Sequence, residues 1–176
     1  MDRRLAAVVV FYLLVAGLGL LWMAARGDPL PAALLAERVS WPAAAGGGVA
    51  TAVAAVLVSD LLLERFAWTD RLRRDVVQML GPLTVGRAAT VALASGIGEE
   101  ILFRGAFLPW AGLVVSSIVF GVLHAGPRLL GWTAFAIVGG FVFGGLAVWS
   151  GGVLAPAVAH VGINGTQLLR LRGSEH

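Results

Sequence analysis

The stretch "LAAVVVFYLLVAGLGLLWMAA", residues 5–25, contains 21 residues and no charged side chain. As an α-helix rising about 1.5 Å per residue it covers roughly 30 Å, which is the thickness of the hydrocarbon core of a bilayer. Arg3 and Arg4 precede it. The run is too long for a signal peptide, and no small-x-small cleavage motif follows it before Arg26. This pattern predicts a retained first transmembrane span.

The composition of the whole chain agrees with such a span. Of its 176 residues, 59% are hydrophobic and 13% are charged, whereas soluble domains are about half apolar and a quarter charged. We therefore expect an integral membrane protein with room for about six spans of roughly 20 residues each. The sequence contains no cysteine, which excludes disulfides, thiolate catalysis and cysteine-ligated metal sites.

Further apolar runs give the positions of the remaining spans. The longest uncharged run, residues 129–159, has 31 residues and exceeds one span, so we divide it at Ser150-Gly151-Gly152. Within it, Gly140 and Gly144 form a GxxxG pair, which predicts close helix packing. The chain is therefore predicted to be an all-α, polytopic transmembrane bundle of about six spans. The spans are placed at residues 5–25, 39–59, about 83–104, 111–125, 129–149 and 153–169.

The thirteen basic residues are all arginines, and their distribution predicts the topology. With a cytoplasmic N-terminus, nine lie on the inner side and two or three on the outer side, as the positive-inside rule requires. We therefore predict a multi-pass cell-membrane protein with both termini in the cytoplasm. The arginine-only, Ala- and Gly-rich composition indicates a bacterial source. Because the arginines lie at the ends of apolar runs, we expect the lipid bilayer as their partner and no nucleic acid. The inner set is Arg3, Arg4, Arg65, Arg71, Arg73, Arg74, Arg128, Arg170 and Arg172, and the outer set is Arg26 and Arg38, with Arg104 near that end of its span.

Residues 64–75, "ERFAWTDRLRRD", form the only long charged stretch. Four arginines beside Phe66 and Trp68 predict an interfacial helix or loop that lies among the lipid headgroups. The chain then divides into three parts. Residues 1–80 hold two spans and this basic segment, residues 81–170 hold a polar core within apolar helices, and residues 171–176 form a short polar tail.

A few ionisable side chains lie inside the predicted spans. A carboxylate at the bilayer centre costs roughly 2.5–3.5 kcal/mol on insertion scales. Such residues face the bundle interior or a wet cavity and are candidates for function. The set is Glu99, Glu100, Arg104, His124 and His160, with the amide of Asn164 beside them.

Spacing predicts how these residues are arranged. Glu100 and Arg104 are four residues apart, so on a helix they share a face and can pair. Glu99 points about 100° away from that face and stays free of the pair. Phe120 with His124, and His160 with Asn164, repeat the interval of four on two other spans. We therefore predict that three helices present their polar groups to one cavity.

This set of groups fits peptide hydrolysis. A buried carboxylate can act as general base on a water, and an imidazole can hold that water or protonate the leaving amine. A second imidazole and an amide N–H can stabilise the oxyanion of a tetrahedral intermediate. The substrate would then be a peptide or a membrane protein.

Three alternatives remain open at this stage. Glu99, His124 and His160 could hold a zinc ion that activates the water, although no HExxH motif is present. Glutamate and histidine could instead form the relay of a proton-coupled transporter, but the two halves show no internal repeat. The chain could also be a membrane scaffold or immunity protein without enzymatic activity.

Three motifs occur in order on three apolar helices. They are "EEILFR" (Glu99–Arg104, EExxxR), "FGVLH" (Phe120–His124, FxxxH) and "HVGIN" (His160–Asn164, HxxxN). Over about residues 85–170 the chain resembles the CPBP family, the CAAX proteases and bacteriocin-processing (Abi) proteins.

The resemblance implies an intramembrane endopeptidase with a polar-lined cavity and a glutamate-type mechanism, with no cofactor favoured and zinc as the alternative. It implies that Glu99 activates the water and that His124 helps to position it. His160 and Asn164 would form the oxyanion site, and Glu100 and Arg104 would support them.

Overall fold

The computed structural model describes residues 2–62, 74–75, 78, 81–125 and 130–172. The described residues form helices and contain no strand, which confirms the predicted all-α architecture. Of the predicted interfacial segment 64–75, all but the last two residues lie outside the described part. The elements are α1 (Arg3–Ala25), α2 (Leu30–Leu34), α3 (Trp41–Leu62), α4 (Val85–Glu100), the π-helical segment π1 (Ile101–Phe107), α5 (Leu108–Leu123), α6 (Leu130–Ser150) and α7 (Leu154–Arg172).

Four segments of the described chain are long and apolar enough to cross a membrane: Arg3–Ala25, Trp41–Leu61, Val85–Leu123 and Leu130–Ser150. The third has 39 residues, about 58 Å of helix, which exceeds one crossing. It reverses at Gly112, where φ is +79°, a conformation that glycine adopts without steric cost.

The reversal at Gly112 divides this segment into two arms. The rings of Phe103 and Phe120 lie 5.0 Å apart, whereas a continuous helix would separate these residues by about 25 Å. The two arms match the third and fourth predicted spans. The predicted sixth span, α7, is not among the four because polar residues such as His160 and Asn164 lower its hydropathy, but it packs within the bundle.

α1 runs parallel to α4 and π1. A Cβ added to Gly98 would lie 2.8 Å from the carbonyl oxygen of Tyr12, and one added to Gly105 would lie 2.7 Å from Sδ of Met23. The residue numbers of the contacting partners increase together, so the two helices share one direction. α1 therefore follows α4 through the level of Glu99.

The two ends of the bundle differ in chemistry. Leu5 and Val8 of α1 pack against the buried cluster that contains Leu168 and Leu171 of α7, so the start of α1 and the end of α7 lie at one end of the bundle. There Asp2 accepts the backbone N–H of Leu5 and pairs with Arg87, and these contacts lower the pKa of its carboxyl. The other end carries an aromatic girdle of the kind found at membrane interfaces. Its residues are Trp22, Trp41, Trp110 and Trp149.

α4 and α7 are antiparallel and in close backbone contact. A Cβ on Gly96 would lie 2.8 Å from the backbone nitrogen of Val161, and Asn164 Nδ2 donates to Ser95 Oγ at 3.0 Å. Residue 95 contacts residue 164, whereas residue 96 contacts residue 161, so α7 runs in the direction opposite to α4. The absent side chain at position 96 lets α7 approach α4 near its carboxylates.

We predict that Gly96→Ala lowers the free energy of unfolding by about 1–3 kcal/mol, because the added methyl group forces the two backbones apart. Gly165→Ala is the matched control in the same interface, since its Cβ would meet Cβ of Ala92 at an ordinary 3.7 Å. Thermal unfolding of the purified protein in bilayer nanodiscs measures both. Equal losses in the two variants would contradict the close approach at Gly96.

Candidate active site

A π-helical turn follows the two glutamates directly. The backbone N–H of Leu108 donates to the carbonyl of Phe103, five residues earlier. Pro109 has no N–H, so the carbonyl of Gly105 lacks its α-helical donor. Arg26, at the end of α1, supplies it through Nη2 at 2.9 Å and also donates to the carbonyl of Ala106. The segment that carries Arg104 is therefore held in its π form by α1, and such turns are frequent at functional sites.

The predicted pairing of Glu100 with Arg104 is present and fully buried. Arg104 Nη1 donates to Glu100 Oε1 at 2.9 Å, and the exposed fractions of the two side chains are 1% and 0%. Arg104 Nη2 donates to the carbonyl of Gly140 on α6 at 3.1 Å. His160 Nδ1 lies 2.7 Å from the same Glu100 oxygen. One carboxylate oxygen thus joins π1 to α7.

Aromatic rings surround the Arg104 guanidinium. Its Cζ lies 4.4 Å from the ring centre of Phe120, 5.3 Å from Phe143 and 5.8 Å from Phe103. Ring faces stabilise a cation where water is excluded. Phe143 also stacks on His160, with centroids 4.7 Å apart and planes at 18°. Phe143 was not predicted from the sequence, because no spacing distinguishes it within an apolar run.

Glu99 faces the two imidazoles. Its Oε2 atom lies 3.6 Å from Nε2 of His124 and 3.9 Å from Nε2 of His160. Oε2 is buried and has no hydrogen-bond partner. Both distances exceed a direct hydrogen bond and fit a water shared among the three atoms. The structure therefore brings Glu99, His124 and His160 together.

The hydrogen bonds of the two histidines assign their tautomers. Nδ1 of His124 lies 2.7 Å from the carbonyl oxygen of Phe120, and since a carbonyl only accepts, this nitrogen carries the proton. Nδ1 of His160 faces Glu100, which already accepts from Arg104, so it donates as well. In each neutral imidazole, Nε2 is then the acceptor that faces Glu99.

The chain was also compared with known protein families. Residues 81–166 match the family described as Type II CAAX prenyl endopeptidase Rce1-like. This segment is just under half of the chain and is similar to the Rce1-like family. It contains all three motifs and confirms the resemblance to CAAX proteases. No curated protein and no solved structure matches the chain.

Asn164 lies one helical turn from His160 within the Rce1-like segment. Its Nδ2 atom donates to Ser95 Oγ at 3.0 Å, one turn before Glu99 on α4. This bond ties Asn164 to α4 one helical turn before Glu99. Ser95 was not assigned to the site from the sequence, where only its nearness to the glutamates gave a signal.

The arrangement of possible ligand side chains bears on whether the site binds a metal ion. Within the described ranges, no group of three or more His, Cys, Asp or Glu side chains is arranged to hold a metal ion. The alternative in which Glu99, His124 and His160 bind zinc stays a prediction.

We predict that Arg104→Met lowers the free energy of unfolding by about 3–5 kcal/mol, because it leaves the Glu100 carboxylate buried without its cation. Adding Glu100→Gln to Arg104→Met should recover much of the loss. Asp60→Asn is the control, since the Asp60–Arg170 pair is partly exposed and such pairs contribute about 0–1 kcal/mol. Denaturant titration of the three variants measures this, and similar losses for both single variants would contradict a special role for the buried pair.

Proposed function

We propose that this chain is an intramembrane endopeptidase that hydrolyses peptide bonds with a water activated by Glu99. The observation that carries the proposal is the convergence of Glu99 Oε2 with the Nε2 atoms of His124 and His160, at 3.6 and 3.9 Å. The similarity of residues 81–166 to a family of CAAX prenyl endopeptidases supports a protease. The substrate is a peptide or a membrane-protein segment.

The hydrogen-bond acceptors at the site determine how the attacking water is activated. A water between them donates one proton to Glu99 and a second hydrogen bond to Nε2 of His124, so its lone pair is free to attack the substrate carbonyl carbon. The C–O bond forms and the carbonyl oxygen becomes an oxyanion. The proton taken by Glu99 then passes to the leaving nitrogen as the C–N bond breaks.

The oxyanion requires hydrogen-bond donors, and His160 and Asn164 of α7 supply them. His160 stacks on Phe143 and donates to Glu100 through Nδ1, so when it is doubly protonated its Nε2–H points toward the reacting group. Asn164 uses one of its two amide hydrogens on Ser95 and keeps the other. Fixed donors of this kind stabilise a developing negative charge.

Glu100 and Arg104 act through His160 in this proposal. A carboxylate that bonds to Nδ1 fixes the orientation of the ring and stabilises the imidazolium. Arg104 in turn compensates the charge of Glu100. The pair positions the oxyanion donor and does not touch the substrate.

We predict that Glu99→Gln lowers kcat by about 10²–10⁴-fold, because glutamine cannot accept the water proton. His124→Ala and His160→Ala should lower it as well. The assay is cleavage of a quenched peptide library by protein in nanodiscs, with prenylated peptides that end in a CAAX motif as a separate arm. Glu37→Gln, at an exposed position, is the matched control and should cleave like wild type.

The same assay separates the alternatives. Full activity after treatment with a chelator would count against zinc, whereas loss of activity that zinc restores would replace the glutamate-only mechanism. Equal signals from wild type, Glu99→Gln and His160→Ala would reject the peptidase and leave a scaffold, an immunity protein or a proton-coupled transporter.

We also propose that both termini face the cytoplasm. The chain has no cysteine, so each introduced cysteine is the only one. In intact cells, an impermeant maleimide should label Glu37→Cys and leave Ser174→Cys unlabelled until the cells are lysed. Labelling in the reverse order would invert the topology without changing the bundle.

A further inference from the structure

Arg26 lies at the C-terminal end of α1, outside the Rce1-like segment and its motifs. The sequence pattern assigns it only to the arginines that set the topology. In the structure its side chain is 24% exposed and donates to two backbone carbonyls that lie 79 and 80 residues further along the chain. An arginine that only marks one side of the membrane needs no such partners, so these contacts indicate a further role.

The guanidinium of Arg26 binds the π turn that follows the two glutamates. Nη2 donates to the carbonyl of Gly105 at 2.9 Å, and Nη1 donates to the carbonyl of Ala106. A planar guanidinium can bind two consecutive carbonyls at once, whereas an ammonium group is a single point of charge. A Cβ on Gly105 would lie 2.7 Å from Sδ of Met23, so the end of α1 packs directly against this turn.

Asp28 fixes the direction of the Arg26 side chain. Its Oδ1 atom accepts from Nε of Arg26 at 3.4 Å, and its Oδ2 atom accepts from Nη2. A carboxylate that binds a guanidinium at two points restrains the plane of the cation. Gly27 lies between the two residues with φ at +77°, and the N–H of Asp28 donates back to the carbonyl of Met23. The end of α1 is therefore folded so that the carboxylate meets the arginine.

The turn that Arg26 holds carries the support of the site. Arg104 immediately precedes Gly105 and joins Glu100 to the carbonyl of Gly140. A π turn holds one residue more than an α turn, and one residue corresponds to a rotation of about 100°. The form of this turn therefore determines how the residues after the two glutamates are rotated relative to them. Arg104 makes both of its contacts in the π form.

We propose that Arg26, oriented by Asp28, is a positioning residue of the active site. It holds the π turn so that Arg104 reaches Glu100, and Glu100 in turn orients His160. The inference rests on the proposed peptidase function and deepens it. It makes the end of α1 part of the catalytic unit, although the family match begins only at residue 81.

The test compares Arg26→Gln with wild type on a peptide that wild type cleaves. Loss of these charged hydrogen bonds should lower kcat about 10-fold or more, with KM within about twofold because substrate contacts are unchanged. Arg26→Lys keeps the charge without the planar fork and should regain only part of kcat.

Arg38→Gln is the matched control. Nη1 of Arg38 also donates to a helix carbonyl, that of Val148 on α6, at 3.0 Å. This contact involves neither π1 nor an ionisable group of the site, so kcat should equal that of wild type.

A second measurement needs no substrate. The guanidinium N–H signals of Arg104 in an NMR spectrum, assigned by their loss in Arg104→Lys, report its place over the ring of Phe120, 4.4 Å from Cζ. They should shift in Arg26→Gln and stay in place in Arg38→Gln.

An unchanged kcat in Arg26→Gln would overturn the positioning role, and so would a loss of kcat without a shift of the Arg104 signals. Full activity in Arg26→Lys would reject the contact with two carbonyls as its basis. If wild type cleaves no peptide, the proposed function fails, while the Arg104 signals still decide whether Arg26 holds the turn.

Discussion

The buried Glu100 carboxylate is the contact on which the rest of the site depends. Its Oε1 atom accepts from Arg104 and from His160, and Arg104 continues to the carbonyl of Gly140. Three helical elements beyond its own are thereby oriented around one charge. A buried ion pair contributes little net stability but is costly to break. Its role here is to specify one arrangement of π1, α6 and α7.

Adjacent glutamates acquire opposite properties from this arrangement. Glu100 faces a guanidinium and an imidazole, so its charge is compensated. Glu99 is rotated by about 100° on the helix and faces two imidazole acceptors with an oxygen that lacks a partner. In the proposed mechanism, these surroundings make Glu100 a support and Glu99 a base, a division that recurs among acid–base enzymes.

The parts of this site that were predictable are those set by spacing along one helix. Glu100 and Arg104 pair because four residues return a helix to the same face, and the apolar runs located the helices. The π turn was not predictable, because it needs both the missing N–H of Pro109 and a donor from Arg26, 79 residues away from Gly105. Phe143 was missed for a similar reason. A single aromatic residue in an apolar run has no periodicity, and its partner depends on which helices become neighbours.

Helix neighbours in this bundle are selected by backbone shape more than by apolar burial. Lipid is as apolar as leucine, so helices in a membrane associate through close packing and polar contacts. Here both occur at the same places. In the helical turn before Glu99, Gly96 allows α7 to approach and Gly98 allows α1 to approach. A Cβ on Gly140 would lie 2.8 Å from the carbonyl oxygen of Ser117, and the carbonyl of Gly140 accepts a hydrogen bond from Arg104. The small residues that allow the helices to approach therefore also bring the ionisable groups together, which explains how an apolar chain can place its charges in the membrane and keep them away from lipid.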